Sequence, residues 1–142
     1  MAVKRAAIVG WGDVATIHHE AINAIDGVEL GGVVDTDPAR REAATAATGA
    51  PAFASVDALV DAVAPDVVHI TTPHHQHITP TLAAVARGVH VIQEKPLAAH
   101  LDDAQRLLDA DIPAGVKVGI CFQNRYNVSS VELRRLLDSG EL

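Results

Sequence analysis

A chain of 142 residues with a formal charge of −7, from 18 acidic and 11 basic side chains, has the size of one domain and is too short for two. The acidic balance and scattered basic residues exclude a phosphate-neutralising nucleic-acid surface. One cysteine, Cys121, excludes an internal disulfide, and no apolar run approaches the roughly 20 residues of a membrane span. With no signal-peptide pattern at Met1–Arg5, the expected location is the cytoplasm.

The elements alternate along the chain. Val3–Val9 is a short apolar run ending in Gly10-Trp11-Gly12, the pattern of a buried strand. From Asp13 the spacing of Val14, Ile17, Ala21 and Ile25 predicts a helix with that stripe on the sheet, ended by Gly27. Val28–Val34 is a second strand, closing on Asp35-Thr36-Asp37-Pro38, and Arg40–Thr48 a helix up to Gly49. A short strand at Ala52–Ala54 precedes a Ser55-capped helix through Val63. Strands at Asp66–Thr71, Val89–Gln93 and Val116–Phe122 are separated by helices at Gln76–Arg87 and Leu101–Ala110, the latter with its stripe at Leu101, Ala104, Leu107 and Leu108. Val128–Leu137 is a last helix. Six strands with helical crossovers predict an α/β fold, a doubly wound parallel six-stranded sheet with helices on both faces.

Gly10-Trp11-Gly12-Asp13-Val14-Ala15 reads G-x-G-x-x-A between a strand and a helix. Gly10 permits the turn, Gly12 lets the backbone approach a pyrophosphate, and Ala15 lets helix and strand pack closely. The helix N-terminus offers free N–H groups to phosphates. Glycine turns also occur without a ligand, but Asp35 ends the second strand about 20 residues on, where an acid accepts from the adenosine ribose. That carboxylate repels a 2′-phosphate and favours NAD, while Arg40 and Arg41 keep NADP open unless they only solvate a helix face.

Thr71-Thr72-Pro73 and Glu94-Lys95-Pro96 end the strands before and after the Gln76–Arg87 helix, where open α/β sheets bind ligands. Lys95 can donate to a substrate oxygen or simply pair with Glu94. His74, His75 and His77 lie too close along a loop to converge on one ion, so no metal is expected, and His18 and His19 are read as solvent-facing. Cys121 reads as a buried strand cysteine without a catalytic partner.

These pieces together resemble the N-terminal half of the Gfo/Idh/MocA oxidoreductases. They are Gly10–Ala15, Asp35 with Asp37-Pro38, Thr72-Pro73 through His77, Gly88-Val89-His90 through Ala98, and Phe122–Tyr126. The resemblance implies that Lys95 is the catalytic residue beside the nicotinamide and that Glu94 contacts its ribose. It also implies that Thr72, His77, Gln123 and Asn124 line the cofactor crevice. His74 departs from the asparagine common after Thr-Pro in that family.

The expected organisation is a dinucleotide-binding domain over 1–122 and a crossover segment with a helix over 123–142. Ser139-Gly140-Glu141-Leu142 is read as the join to an absent substrate domain. The expected function is cofactor binding within a dehydrogenase of sugars, polyols or related hydroxyl compounds, inactive in this length alone. The substrate is then a small molecule met only by a full-length form, with no nucleic acid or membrane partner, and homo-oligomers are usual among full-length relatives. Two other readings stay open: a stand-alone NAD-binding sensor or docking module, and a Rossmann-like domain that binds another nucleotide or none.

Overall fold

The structure, a computed structural model, describes residues 3–141. Met1 and Ala2, at the head of the expected 1–122 span, and Leu142, at the end of the expected join, lie outside the described residues. The strands are β1 (Lys4–Val9), β2 (Val28–Val34), β3 (Ala52–Phe53), β4 (Val67–Ile70), β5 (His90–Glu94) and β6 (Val118–Cys121). The helices are α1 (Asp13–Asn23), α2 (Pro38–Thr48), α3 (Val56–Val63), α4 (Ile78–Ala86), α5 (Leu101–Leu108) and α6 (Val128–Ser139). Every strand pair is parallel and the order is β3-β2-β1-β4-β5-β6, the doubly wound arrangement. The order reverses between β1 and β4, which opens a crevice at their carboxyl ends.

Alternation along β1 sends Ala6 and Ile8 to the α1 side and Ala7 and Val9 to the other. The larger core joins Ala7 and Val9 to Leu59 of α3 and Ala84 and Val85 of α4. Within β2, Gly31 is an extra residue where the register with β1 shifts. A side chain on Gly32 would meet Leu59 Cδ1 at 2.7 Å, so the paired glycines let α3 lie close on the strand.

Helix starts follow the local sequence. Asp37 accepts from the Ala39 amide ahead of α2, which begins at Pro38 rather than Arg40, and Ser55 accepts from the Ala58 amide ahead of α3. The stretch expected as one helix over Gln76–Arg87 is a 3-10 turn, His74–Gln76, followed by α4. Two predicted stripes are wrong. On α1, which ends at Asn23 rather than at Gly27, the buried residues are Ala15, His18 and Ile22; Val14 and Ile17 are 41% and 64% exposed, and Ile25, beyond the helix, 54%. On α5 only Leu107 is buried, and Leu101 and Leu108 face out. No residue of α6 is buried.

Candidate functional site

The glycine turn is built by steric necessity. Gly10 has φ of +96°, and a Cβ there would lie 2.9 Å from Cα, Cγ2 and N of Thr72. Gly12 has φ of −106°, which any residue adopts, and a Cβ there would find only Arg40 Nη1, at 3.6 Å. The turn therefore needs Gly10 for its own packing and keeps space open above Gly12. Ala15, fully buried, closes α1 onto the sheet.

Gly12 caps α1 with no side-chain bond. The amides of Gly12, Asp13 and Val14 form no hydrogen bond among the described residues, so the end of the helix presents donors and positive dipole to whatever lies in front of it. The Trp11 amide, expected to join them, donates instead to Asp35 Oδ2 at 2.8 Å. Asp35 Oδ1 accepts from the Asp37 amide at 2.9 Å. The acid thus ties the glycine turn to the end of β2, and each oxygen keeps one lone pair for a ligand. Arg41 Nη1 donates to the carbonyls of Asp35 and Thr36, which fixes that side chain on the backbone.

A cavity of about 730 Å³ lies over this turn, within the usual range for a small-molecule site. Gly10, Gly12, Asp35, Arg40, Thr72 and Pro73 are among the residues that line it. Thr72 Oγ1 is buried without a hydrogen-bond partner. Thr71 lines the cavity as well, and its hydroxyl donates to the carbonyls of Val9 and Gly10, which pins the end of β4 to β1. The free Gly12 amide, the open space over it and the Asp35 carboxylate on the same cavity, with the free Asp13 and Val14 amides adjoining in the first turn of α1, fit a diphosphate joined to a ribose.

Glu94 and Lys95 stand beyond that cavity, at the end of β5. Lys95 is exposed, and its ammonium makes no ion pair among the described residues, so the simple pairing with Glu94 is not formed. Glu94 Oε1 lies 3.1 Å from His18 Nε2, and Oε2 accepts from the Lys95 amide at 3.2 Å. Burial first, then the charge of nearby Glu94, push the Cys121 thiol above its ordinary value. His18, Glu94 and Cys121 bring their ligand-type atoms within 4.8 Å of one another, and His18 and Glu94 are already hydrogen-bonded to each other.

The Lys95 loop rests on two buried polar side chains. Gln93, with no exposed surface, donates to the Leu97 carbonyl at 2.7 Å and accepts from Thr81 Oγ1 at 2.8 Å. His77, expected in the crevice lining, is likewise fully buried. Its Nδ1 reaches the Pro96 carbonyl at 2.8 Å and its Nε2 the Thr72 carbonyl at 2.9 Å, so it braces both loops from beneath. Gln123 and Asn124 are exposed on a 3-10 turn, Gln123–Tyr126, and do not line the cavity. His74 packs edge-on against His77 and His75 approaches Gln76, so the three loop histidines do not point at a common centre.

Sequence reasoning missed His18, His69, Thr81 and Gln93. His18 was expected in solvent and is 8% exposed, because Nδ1 meets His69 Nδ1 at 2.9 Å and Nε2 meets Glu94. One signal was available: the small residue of the glycine motif, Ala15, fixes the inward phase of α1, and three and seven residues on lie His18 and Ile22.

A family model described as an oxidoreductase family with an NAD-binding Rossmann fold, Gfo/Idh/MocA, matches residues 4–122. The chain belongs to that family. Glucose-6-phosphate 3-dehydrogenase of Bacillus subtilis is 30% identical over 99% of this family member and 39% of its own length. Inositol 2-dehydrogenase of Leifsonia xyli subsp. xyli is 33% identical over 96% and 41%. The WlbA dehydrogenase of Bordetella pertussis, solved with NADH and UDP-GlcNAcA, superposes with a TM-score of 0.90 at 31% identity, over 99% of this chain and 43% of that one. This Gfo/Idh/MocA member thus spans about two-fifths of the length of the curated relatives it matches. No helix among the described residues is long and apolar enough to cross a membrane.

Proposed function

We propose that this family member binds NAD as the cofactor domain of a dehydrogenase, which moves a hydride between the nicotinamide and the hydroxyl-bearing carbon of a sugar or polyol. The observation that carries this reading is the free Gly12 amide, at the start of α1, on the same cavity as the Asp35 carboxylate. The amides hold the pyrophosphate, Asp35 accepts from the adenosine ribose with its remaining lone pairs, and Thr72 Oγ1 gains a partner. The names of the relatives, dehydrogenases of a sugar phosphate and of inositol, support the substrate class.

At the other end Glu94 accepts from the nicotinamide ribose, and Lys95, exposed and without an ion-pair partner, exchanges the substrate hydroxyl proton. The bound dinucleotide supplies the hydride acceptor. Asp35 favours NAD over NADP by charge, and Arg40, beside Gly12 in the cavity lining, opposes it. The span through residue 122 is the cofactor domain, and α6, with no buried residue, leads to a substrate domain that completes the catalytic site and carries the oligomer contacts. A free thiol at Cys121 and a soluble dinucleotide ligand suit the cytoplasm.

Calorimetric titration with NAD and NADP tests the reading. Binding of NAD tighter than NADP is expected, with little turnover by the chain alone, because orientation and water exclusion need the rest of the site. No heat from either dinucleotide at millimolar concentration refutes it.

A further inference from the structure

Glu94 is the near end of a continuous line of hydrogen-bonding atoms that runs through the domain. His18, on α1, places Nε2 3.1 Å from Glu94 Oε1 and Nδ1 2.9 Å from Nδ1 of His69, on β4. The His18 and Glu94 side chains are 9% and 15% exposed, whereas His69 is only partly buried, and its Nε2 makes no hydrogen bond among the described residues. The two rings meet edge to face with centroids 5.1 Å apart. An imidazole bonded through both nitrogens can take a proton on one and release it from the other. A buried histidine that only filled space would not need a second histidine behind it.

We propose that Glu94, His18 and His69 form a proton-conducting chain that leads from the nicotinamide end of the crevice to solvent on the α1 side of the sheet. The proposal rests on the dinucleotide reading, since dehydrogenation of an alcohol frees one proton for each hydride. A proton arriving at Glu94 forms an O–H bond there and passes to Nε2 of His18. The Nδ1–H bond of His18 breaks as Nδ1–H of His69 forms, and His69 releases its Nε2 proton to water. One proton enters and one leaves, with no electrons transferred along the chain. Each passage leaves both rings in the opposite tautomer, and the reductive direction restores them.

The surrounding groups keep the path open. Burial, then electrostatic repulsion from a protonated His18, hold His69 down at about 4, so near neutral pH it is an uncharged ring that can accept and hand on a proton. From β6 the Cys121 thiol lies close to Glu94, and its raised value keeps it protonated and from competing as a base. On α1 itself His19 turns away toward Asn23 and Trp11. The Lys95 amide holds the other Glu94 oxygen.

Two measurements on this chain separate the proposal from the cofactor reading. Nitrogen-15 spectra of the imidazoles at neutral pH are expected to show His18 and His69 joined by one shared proton, and His69→Phe is expected to change the His18 tautomer. NAD titration of both chains reads the cofactor site separately, and binding is expected in each. Absence of NAD heat in both sinks the cofactor reading and, with it, the relay that depends on it. NAD binding with the His18 tautomer unchanged in His69→Phe overturns the relay alone.

Discussion

Substituting the two glycines of the turn separately divides the fold from the site. Gly10→Ala places a methyl group 2.9 Å from three atoms of Thr72, two of them backbone, on a residue with φ of +96°. The left-handed conformation costs about 1–2 kcal/mol and the overpacking about 1–3 kcal/mol more. A loss of roughly 2–5 kcal/mol is a large share of a typical domain's 5–15 kcal/mol. Gly12→Ala meets no heavy atom closer than Arg40 Nη1 at 3.6 Å and has an ordinary extended backbone, so only a helix-capping cost below about 1 kcal/mol is expected. If the pyrophosphate occupies the space over Gly12, the same methyl group weakens NAD binding by about 1–3 kcal/mol, or roughly 5- to 150-fold. Urea denaturation followed by circular dichroism reads the first effect and calorimetry the second. Gly12→Ala binding NAD as well as the parent would refute the reasoning, as would a Gly10→Ala chain of unchanged stability.

Asp35→Asn removes the charge that faces the cavity, so NAD should bind about 1–3 kcal/mol more weakly and its margin over NADP should shrink; competitive titration measures both. Thr81→Val leaves the buried Gln93 Oε1 without its donor and should cost about 1–3 kcal/mol in chemical denaturation. His69 is held below its ordinary value of 6.5, at about 4, so the unfolded chain binds more protons between those limits. Its contribution to stability is therefore full above pH 6.5 and lost as pH falls toward 4, about 1–2 kcal/mol after screening of a partly exposed ring, and His69→Phe should flatten that slope in denaturation curves.

Most of the architecture was legible because strand-helix alternation and the glycine punctuation are local signals. Parallel strands with right-handed crossovers pointed to a doubly wound sheet, while the order β3-β2-β1-β4-β5-β6 came from the structure. The phase of α1 was not legible from apolarity alone. Val14, Ile17, Ala21 and Ile25 form the more hydrophobic stripe, yet the sheet takes Ala15, His18 and Ile22, because a small residue is needed at the glycine turn and His18 finds partners 51 and 76 residues away. Pairing at such separation leaves no periodic trace. The same holds for His77 and Gln93, whose roles depend on carbonyls that only the folded loops bring within reach. Asp35 was placed at the correct end of β2, but its bond to the Trp11 amide was hidden, since neither residue type dictates it.

Amide chemical shifts of this chain on addition of NAD bear most directly on where a dinucleotide sits. Large shifts confined to Gly12, Asp13 and Val14 and to the residues around Asp35, with α5 and α6 unmoved, are the expected result. Shifts that leave those three amides in place while NAD binds elsewhere, or no shifts at saturating cofactor, would contradict it.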